Sequence, residues 1–340
     1  MGKWFQIINI DKKQTLGEWG KVGEWFFHDQ SPCLVEHLAA PEKPLSEATA
    51  EKYLLNVTST PRQSGILRLP NEILGLVFAE MNDIIDVMLF GVTCKLLLSI
   101  SLTQLHALQV NIRAHWVGDR IICIGSGAWD GGLPEGLLTE AEIQDLGLDG
   151  QSGQDDLLED HNLYNIAATY FCEPPVLPHI YEVFTAGNRD DHISLEAFPT
   201  RGEREILSRL HKPVYALEET WVLANLTKRE YVRASSISDL KEFSPSSSKG
   251  PFVGRNLTLG SVLVHRICLP CDIPVCEFYD DTGGDTHHGV WVGDRFAITT
   301  ISKLNQGKGE KEWKDISSEV IEEMIEMWKK EFNDDWENRL

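Results

Sequence analysis

Trp116-Val117-Gly118-Asp119-Arg120 recurs letter for letter as Trp291-Val292-Gly293-Asp294-Arg295. Each copy runs on into a β-prone stretch, Ile121 to Ile124 and Phe296 to Ile301. A looser string precedes each copy. Asn9 to Leu16 and Asn225 to Val232 share the pattern Asn, aliphatic, any, Lys, basic, Gln or Glu, any, aliphatic, with a tryptophan ahead at Trp4 and Trp221. Two strings repeated in the same order mark a repeated unit. Asn9 and Trp116 lie 107 positions apart, Asn225 and Trp291 lie 66 apart, and the first copy is therefore longer by 41. The economical reading is an α+β chain of two similar β-rich modules, a tandem duplication, with a helical segment at 66–105 inserted in the first. Insertion is tolerated where a surface loop brings its ends together. Chance similarity of short strings is the competing reading.

Residues 66–105 differ from their surroundings. They are strongly apolar, and beyond Pro70 they carry no Gly/Pro cluster. Leu69, Ile73, Leu76, Val77, Glu80 and Met81 follow helical spacing, with Leu74 and Phe78 widening the apolar face. Pro70 suits a first helical turn, where its missing N–H has no helical partner to lose. Asp86 is the expected N-cap of a second helix through Val87, Phe90 and Val92, and Lys95 to Leu105 continues as a third. So apolar a hairpin needs a covering surface, from its own domain or from another chain.

The module boundaries follow. Residues 1–135 form the first β-rich module, interrupted by 66–105, and 136–160 form an acidic loop. Residues 161–213 form a mixed helical connector, 214–316 the second β-rich module, and 317–340 a C-terminal amphipathic helix. Residues 135–160 hold nine acids and no Lys or Arg, and Thr139 with Glu142 fits a capping box. Such a segment is a solvated loop or a docking peptide for a basic partner. Short helices are expected over Ser46 to Leu55 and, capped by Thr200 with Glu203, over Arg201 to His211; strands and turns are expected from 214 on. In the last helix Ile321, Met324, Ile325, Trp328, Phe332 and Trp336 share one face, which covers the chain's own core or a partner helix.

In the five-residue strings, Gly-Asp reads as a tight bend and Trp116 and Trp291 as core residues. Asp119, Arg120, Asp294 and Arg295 admit two roles: internal pairing, or a shared recognition surface.

Leu69-Pro-Asn-Glu-Ile-Leu74 resembles the opening of an F-box, Leu-Pro-any-Glu-aliphatic-Leu. Asp86 to Lys95 resembles its second half, an Asp, aliphatics and then Val-any-Cys-Lys. Leu97 departs from the pattern, which often has Trp there. The rest of the chain is similar in style to F-box proteins of mushroom-forming fungi, in its Gly-aromatic N-terminus and repeated Trp-any-Gly-Asp-Arg string. The resemblance implies a small helical bundle that docks on the Skp-type adaptor of a cullin ubiquitin ligase and presents a protein target of unspecified identity. It implies Leu69, Pro70, Ile73, Leu74 and Val77 as the anchors buried by docking, with Phe78, Met81, Val87 and Val92 behind or beside them. The alternative is that these residues only form an intradomain core, and that the chain is a small-molecule binder or enzyme with a site between the two modules.

Composition bounds the rest. The net charge of −21 on 340 residues repels phosphate backbones and anionic lipid, so neither nucleic acid nor membrane is an expected partner. No apolar run is long enough to span a bilayer, and the first 30 residues lack a signal peptide's pattern. Seven cysteines, an odd number, then read as free thiols in a reducing compartment, cytoplasmic or nuclear. His265, Cys268, Cys271 and Cys276, with His287 and His288 nearby, are a weak zinc pattern, since one Cys-any-any-Cys lacks a second pair. Tyr279 to Asp285 lacks the spacing of a calcium loop. No phosphate-binding loop or nucleophile elbow is present. No cofactor, resident metal or catalytic residue is expected.

Overall fold

The computed structural model describes residues 4–19, 32–42, 65–126, 133–148, 162–178, 201–240, 249–254, 256–269, 289–306 and 312–339. In chain order the elements are β1 (Phe5–Asn9), β2 (Gln14–Trp19), α1 (Pro32–Leu38), a 3-10 turn (Gly65–Arg68), α2 (Asn71–Ala79), α3 (Ile84–Gly91), α4 (Lys95–Arg113) and β3 (Ile121–Gly125). They continue with α5 (Glu140–Asp145), α6 (Leu163–Tyr170), α7 (Arg201–His211), β4 (Trp221–Asn225), β5 (Glu230–Arg233), α8 (Ala234–Ser238) and α9 (Leu259–Ile267). The last are β6 (Phe296–Thr300), α10 (Ile301–Gln306), β7 (Lys314–Asp315), α11 (Ser317–Phe332) and α12 (Trp336–Arg339). The chain is mixed α+β with two sheets and divides into two compact units. One comprises residues 1–39, 116–174 and 217–340; the other comprises 40–115 and 175–216.

The first unit holds both sheets. β1 lies between β2 and β3, antiparallel to each, with Asn9 opposite Gln14 on one side and Ile121 on the other. β4 lies likewise between β5 and β6, with Asn225 opposite Glu230 and Phe296. All five residues of β1, β3 and β4 are buried. That burial on both faces accounts for the near-continuous apolar run Ile121-Ile-Cys-Ile and for the hydrogen-bonded Gln6, whose amide donates to Tyr164 O at 2.6 Å. β7 adds a parallel strand to the outer edge of β5, and Gln14 makes a parallel bridge to Cys172 at the edge of β2.

Single bridges join the two sheets. Arg120 pairs antiparallel with Arg295. Ala39, after α1, pairs with Ile298 in β6, while Cys268, after α9, pairs with Cys123 in β3. Thus each half sends the residue that follows its helix to the third strand of the other half.

The second unit is helical. Leu74, Phe78, Val87, Met88, Leu97, Leu98 and Leu105 from α2 to α4 are buried together with Ile206, Leu207 and Leu210 of α7 and with Leu177. Gln109 donates to Leu210 O at 2.7 Å, tying α7 to α4.

Several expectations change. Asp83, not Asp86, caps α3, accepting from Ile85 N at 2.7 Å and Asp86 N at 3.2 Å; its backbone is extended whereas Asp86 is already in the first helical turn. The helical segment exceeds 66–105, since α4 runs to Arg113 and the unit draws on 175–216; the connector 161–213 is therefore divided between the units. Residues 214–316 contain the unexpected helix α9. Its side chains are buried almost all round, the polar Ser261 and Arg266 included. The C-terminal helix stops at Phe332, where Asn333 takes φ 47. Its buried face is Val320, Ile321, Met324, Met327 and Trp328, packed within its own unit. The capping box at Thr139 and Glu142 forms as expected. Ser46 to Leu55 and Thr200 lie outside the described residues, as do Cys271, Cys276, His287, His288 and Tyr279 to Asp285.

Candidate functional site

Two sets of residues were singled out by sequence, and the first surrounds the repeated strings. Each string folds as one four-residue turn. Asp119 N donates to Trp116 O and Asp294 N to Trp291 O, both at 3.1 Å. The third position requires a left-handed backbone, and Gly118 (φ 83) and Gly293 (φ 74) supply it. The tryptophans are fully buried, and their indole N–H groups donate to Gln14 Oε1 at 2.8 Å and to Glu230 Oε2 at 2.9 Å. Their backbone N–H groups donate to His37 O and Arg266 O, the last turns of α1 and α9, each at 2.9 Å. The His37 ring lies 5.4 Å from that of Trp116, and the Arg266 guanidinium lies 5.8 Å from the ring of Trp291.

The looser strings supply the partners. Asn9 donates to Asp119 Oδ2 and Asn225 to Asp294 Oδ2, each at 2.8 Å. Their carbonyl oxygens accept from Lys12 N at 3.0 Å and Lys228 N at 2.9 Å. Lys12 pairs with Asp119 at 2.7 Å and Lys228 with Asp294 at 3.7 Å.

The strings meet at the Arg120–Arg295 bridge, where the halves differ. Asp11 Oδ2 accepts from Arg120 N at 2.8 Å; at the matching place Thr227 Oγ1 accepts from Arg295 N at 3.0 Å. Asp11 also receives the Arg120 guanidinium at 2.6 Å and Arg295 Nη1 at 2.7 Å. Arg120 further pairs with Glu142 and donates to Leu137 O at 2.9 Å. Burial works to raise the Asp11 pKa, but hydrogen bonds from the Arg120 side chain and backbone, with the charges of both arginines, hold it below its ordinary value. The Arg120 guanidinium and the Thr139 N–H bring Glu142 down to about 2. Burial holds Asp294 above its ordinary value, against the pull of Asn225 and Lys228. Asp119, Arg120, Asp294 and Arg295 are thus brought together, each engaged by partners within the chain.

The second set lies on α2 and the turn before it. Leu69 (37 % exposed) and Ile73 (42 %) reach solvent, as does Pro70, and Val77 is half-buried. Leu74 (0 %), Phe78 and Val87 lie inside the helical core. Met81 and Val92 are partly buried against that core. Leu97, the departure from the F-box pattern, is a core residue of α4. Ile66 (40 %) and Leu76 (62 %) belong to the same exposed set, though the motif does not single them out. Helical spacing separates the two groups: Leu69, Ile73 and Leu76 fall on one side of α2, Leu74 and Phe78 on the other.

Of the zinc pattern, Cys268 is a buried free thiol whose backbone forms a β-bridge with Cys123, and His265 sits 3.1 Å from Glu323; no group of ligands able to hold a metal occurs among the described residues. Among those residues no helix is long and apolar enough to cross a membrane. Comparison with protein-family models, with curated proteins and with solved structures finds no match.

Proposed function

We propose that this chain is an F-box adaptor. In this reading residues 65–113 dock on the Skp-type subunit of a cullin ubiquitin ligase, and the sheet-bearing unit presents a protein target. The observation that carries the reading is the split within Leu69 to Phe78. The motif's Leu74 and Phe78 hold the helical core, while Leu69, Pro70 and Ile73 stand exposed with Ile66 and Leu76 beside them. Large apolar side chains grouped in solvent are the raw material of an interface. The setting is cytoplasmic or nuclear, and the chain's part is binding rather than catalysis.

We read the two sheets as copies of one module. Support comes from the matched bonds of Asn9 and Asn225, of Trp116 and Trp291, and of the helices before them. The helical unit then enters the first copy between Ala39 and Trp116, where the second copy has residues 269–290.

Affinity capture of the tagged chain from its native cell, with the proteasome inhibited, tests the adaptor role. The Skp-type adaptor and cullin should be recovered along with targets. Changing Leu69, Pro70 and Ile73 together to Ala should lose them while the thermal midpoint holds, because all three are exposed. Truncating one central anchor typically costs about 2 kcal/mol, roughly thirtyfold in affinity. Absence of the adaptor from the wild-type capture, or its undiminished recovery by the triple variant, overturns the reading.

A further inference from the structure

The exposed face of α2 has acid at both ends. Glu72, Leu76 and Glu80 are spaced four residues apart, so they form one stripe beside Leu69 and Ile73. Glu72 lies in the first turn of the helix and Glu80 is its C-cap; both are exposed. Neither carboxylate is held by a hydrogen bond or ion pair among the described residues. Two free carboxylates therefore bracket the most exposed large apolar side chain of the helix, Leu76 at 62 %.

We infer that the surface docking on α2 is an apolar cleft flanked by two basic side chains, one to meet Glu72 and one to meet Glu80. Eight residues of helix separate the two carboxylates by about 12 Å along the axis, which sets the spacing of those bases. The inference rests on the adaptor reading and adds to it the charge pattern that the adaptor must carry. A second copy of this chain fits poorly. Antiparallel self-pairing sets Glu72 against Glu80, parallel pairing sets like on like, and the whole chain carries a net charge of −21. Charges at the rim of an apolar contact mainly steer encounter and select partners, so their signature is salt dependence.

The test titrates the purified full-length chain with the recombinant Skp-type adaptor of its own source organism, at about 0.05 M and about 0.5 M salt. Wild-type affinity should fall as salt rises. The Glu72→Gln/Glu80→Gln variant should bind about fivefold more weakly at low salt and lose most of the salt dependence. Glu72→Lys/Glu80→Lys should lose more than about tenfold. Leu76→Asp should abolish binding with an unchanged thermal midpoint, since Leu76 is exposed. If the double Gln variant matches the wild type in affinity and salt response, the charge bracket is wrong and docking stands. If the wild type does not bind at all, the adaptor reading falls and takes the bracket with it. A concentration-dependent dimer that Leu76→Asp dissolves would assign the face to a second copy and overturn the inference.

Discussion

Arg120 joins two carboxylates, Asp11 and Glu142, and the pairing gives acid sensitivity a defined sign. Glu142 titrates at about 2 in the folded chain against an ordinary 4.5, so its contribution is complete above the ordinary value and is lost as pH falls through the folded one. Asp11 is also lowered and acts in the same sense. Asp294 is raised and acts in the opposite one, favouring the fold in its protonated form. Glu142→Gln should flatten the decline of stability between pH 4.5 and 2. At neutral pH it should cost only about 0.5–1 kcal/mol, because solvent screens the pair; urea unfolding across that range measures both effects. A steric case stands in the helical unit. A Cβ on Gly91 would come 2.5 Å from Ser101 Oγ, where α3 meets α4. Ser101 is buried and its hydroxyl is committed to Leu98 O at 2.9 Å, so it yields poorly. Gly91→Ala should lower stability by about 1–3 kcal/mol, read from the thermal midpoint.

Among the elements, α7 has a role that its place in the sequence conceals. It is remote from α2 to α4 along the chain, yet Leu207 and Leu210 complete their core. Leu210→Ala should cost about 2–5 kcal/mol by denaturant unfolding, as large a loss as truncating a core leucine within the F-box-like segment itself. The local signals on these elements were legible. Period-four spacing located α2, the Thr139/Glu142 pair located α5, and the β-prone runs after the repeated Trp-Val-Gly-Asp-Arg strings located β3 and β6. What stayed hidden depends on tertiary burial. α9 buries the polar Ser261 and Arg266 along with its apolar residues, which sequence does not announce, and nothing in 201–211 says which core it joins. Of the candidate docking residues, Leu69, Pro70 and Ile73 lie exposed on α2 and its approach, whereas Leu74, Phe78 and Val87 are buried in the helical core. A motif records that a position is apolar and not which side of the helix the chain itself covers. Leu76 was visible only as a member of the apolar spacing, and Ile66 was not singled out. Asp11 could have been found as the residue two beyond Asn9, but its matching position holds Thr227, and only the fold shows both accepting from an arginine N–H.

At the scale of the whole molecule, the sheet-bearing unit is assembled from three stretches of chain and the helical unit from two. The crossed backbone β-bridges, Ala39 to Ile298 and Cys268 to Cys123, attach a residue of each half to a strand of the other. A protease site engineered between Gly150 and Asp155 would divide the chain into two pieces, one ending after β3 and α5, the other beginning before α6. The nicked protein should still elute as a single native particle, since each piece holds strands and core residues that the other lacks. Separation under native conditions would contradict the interlock. A cut chain that stays whole is also one that a single internal cleavage cannot inactivate by dismemberment, so its removal from solution requires unfolding first.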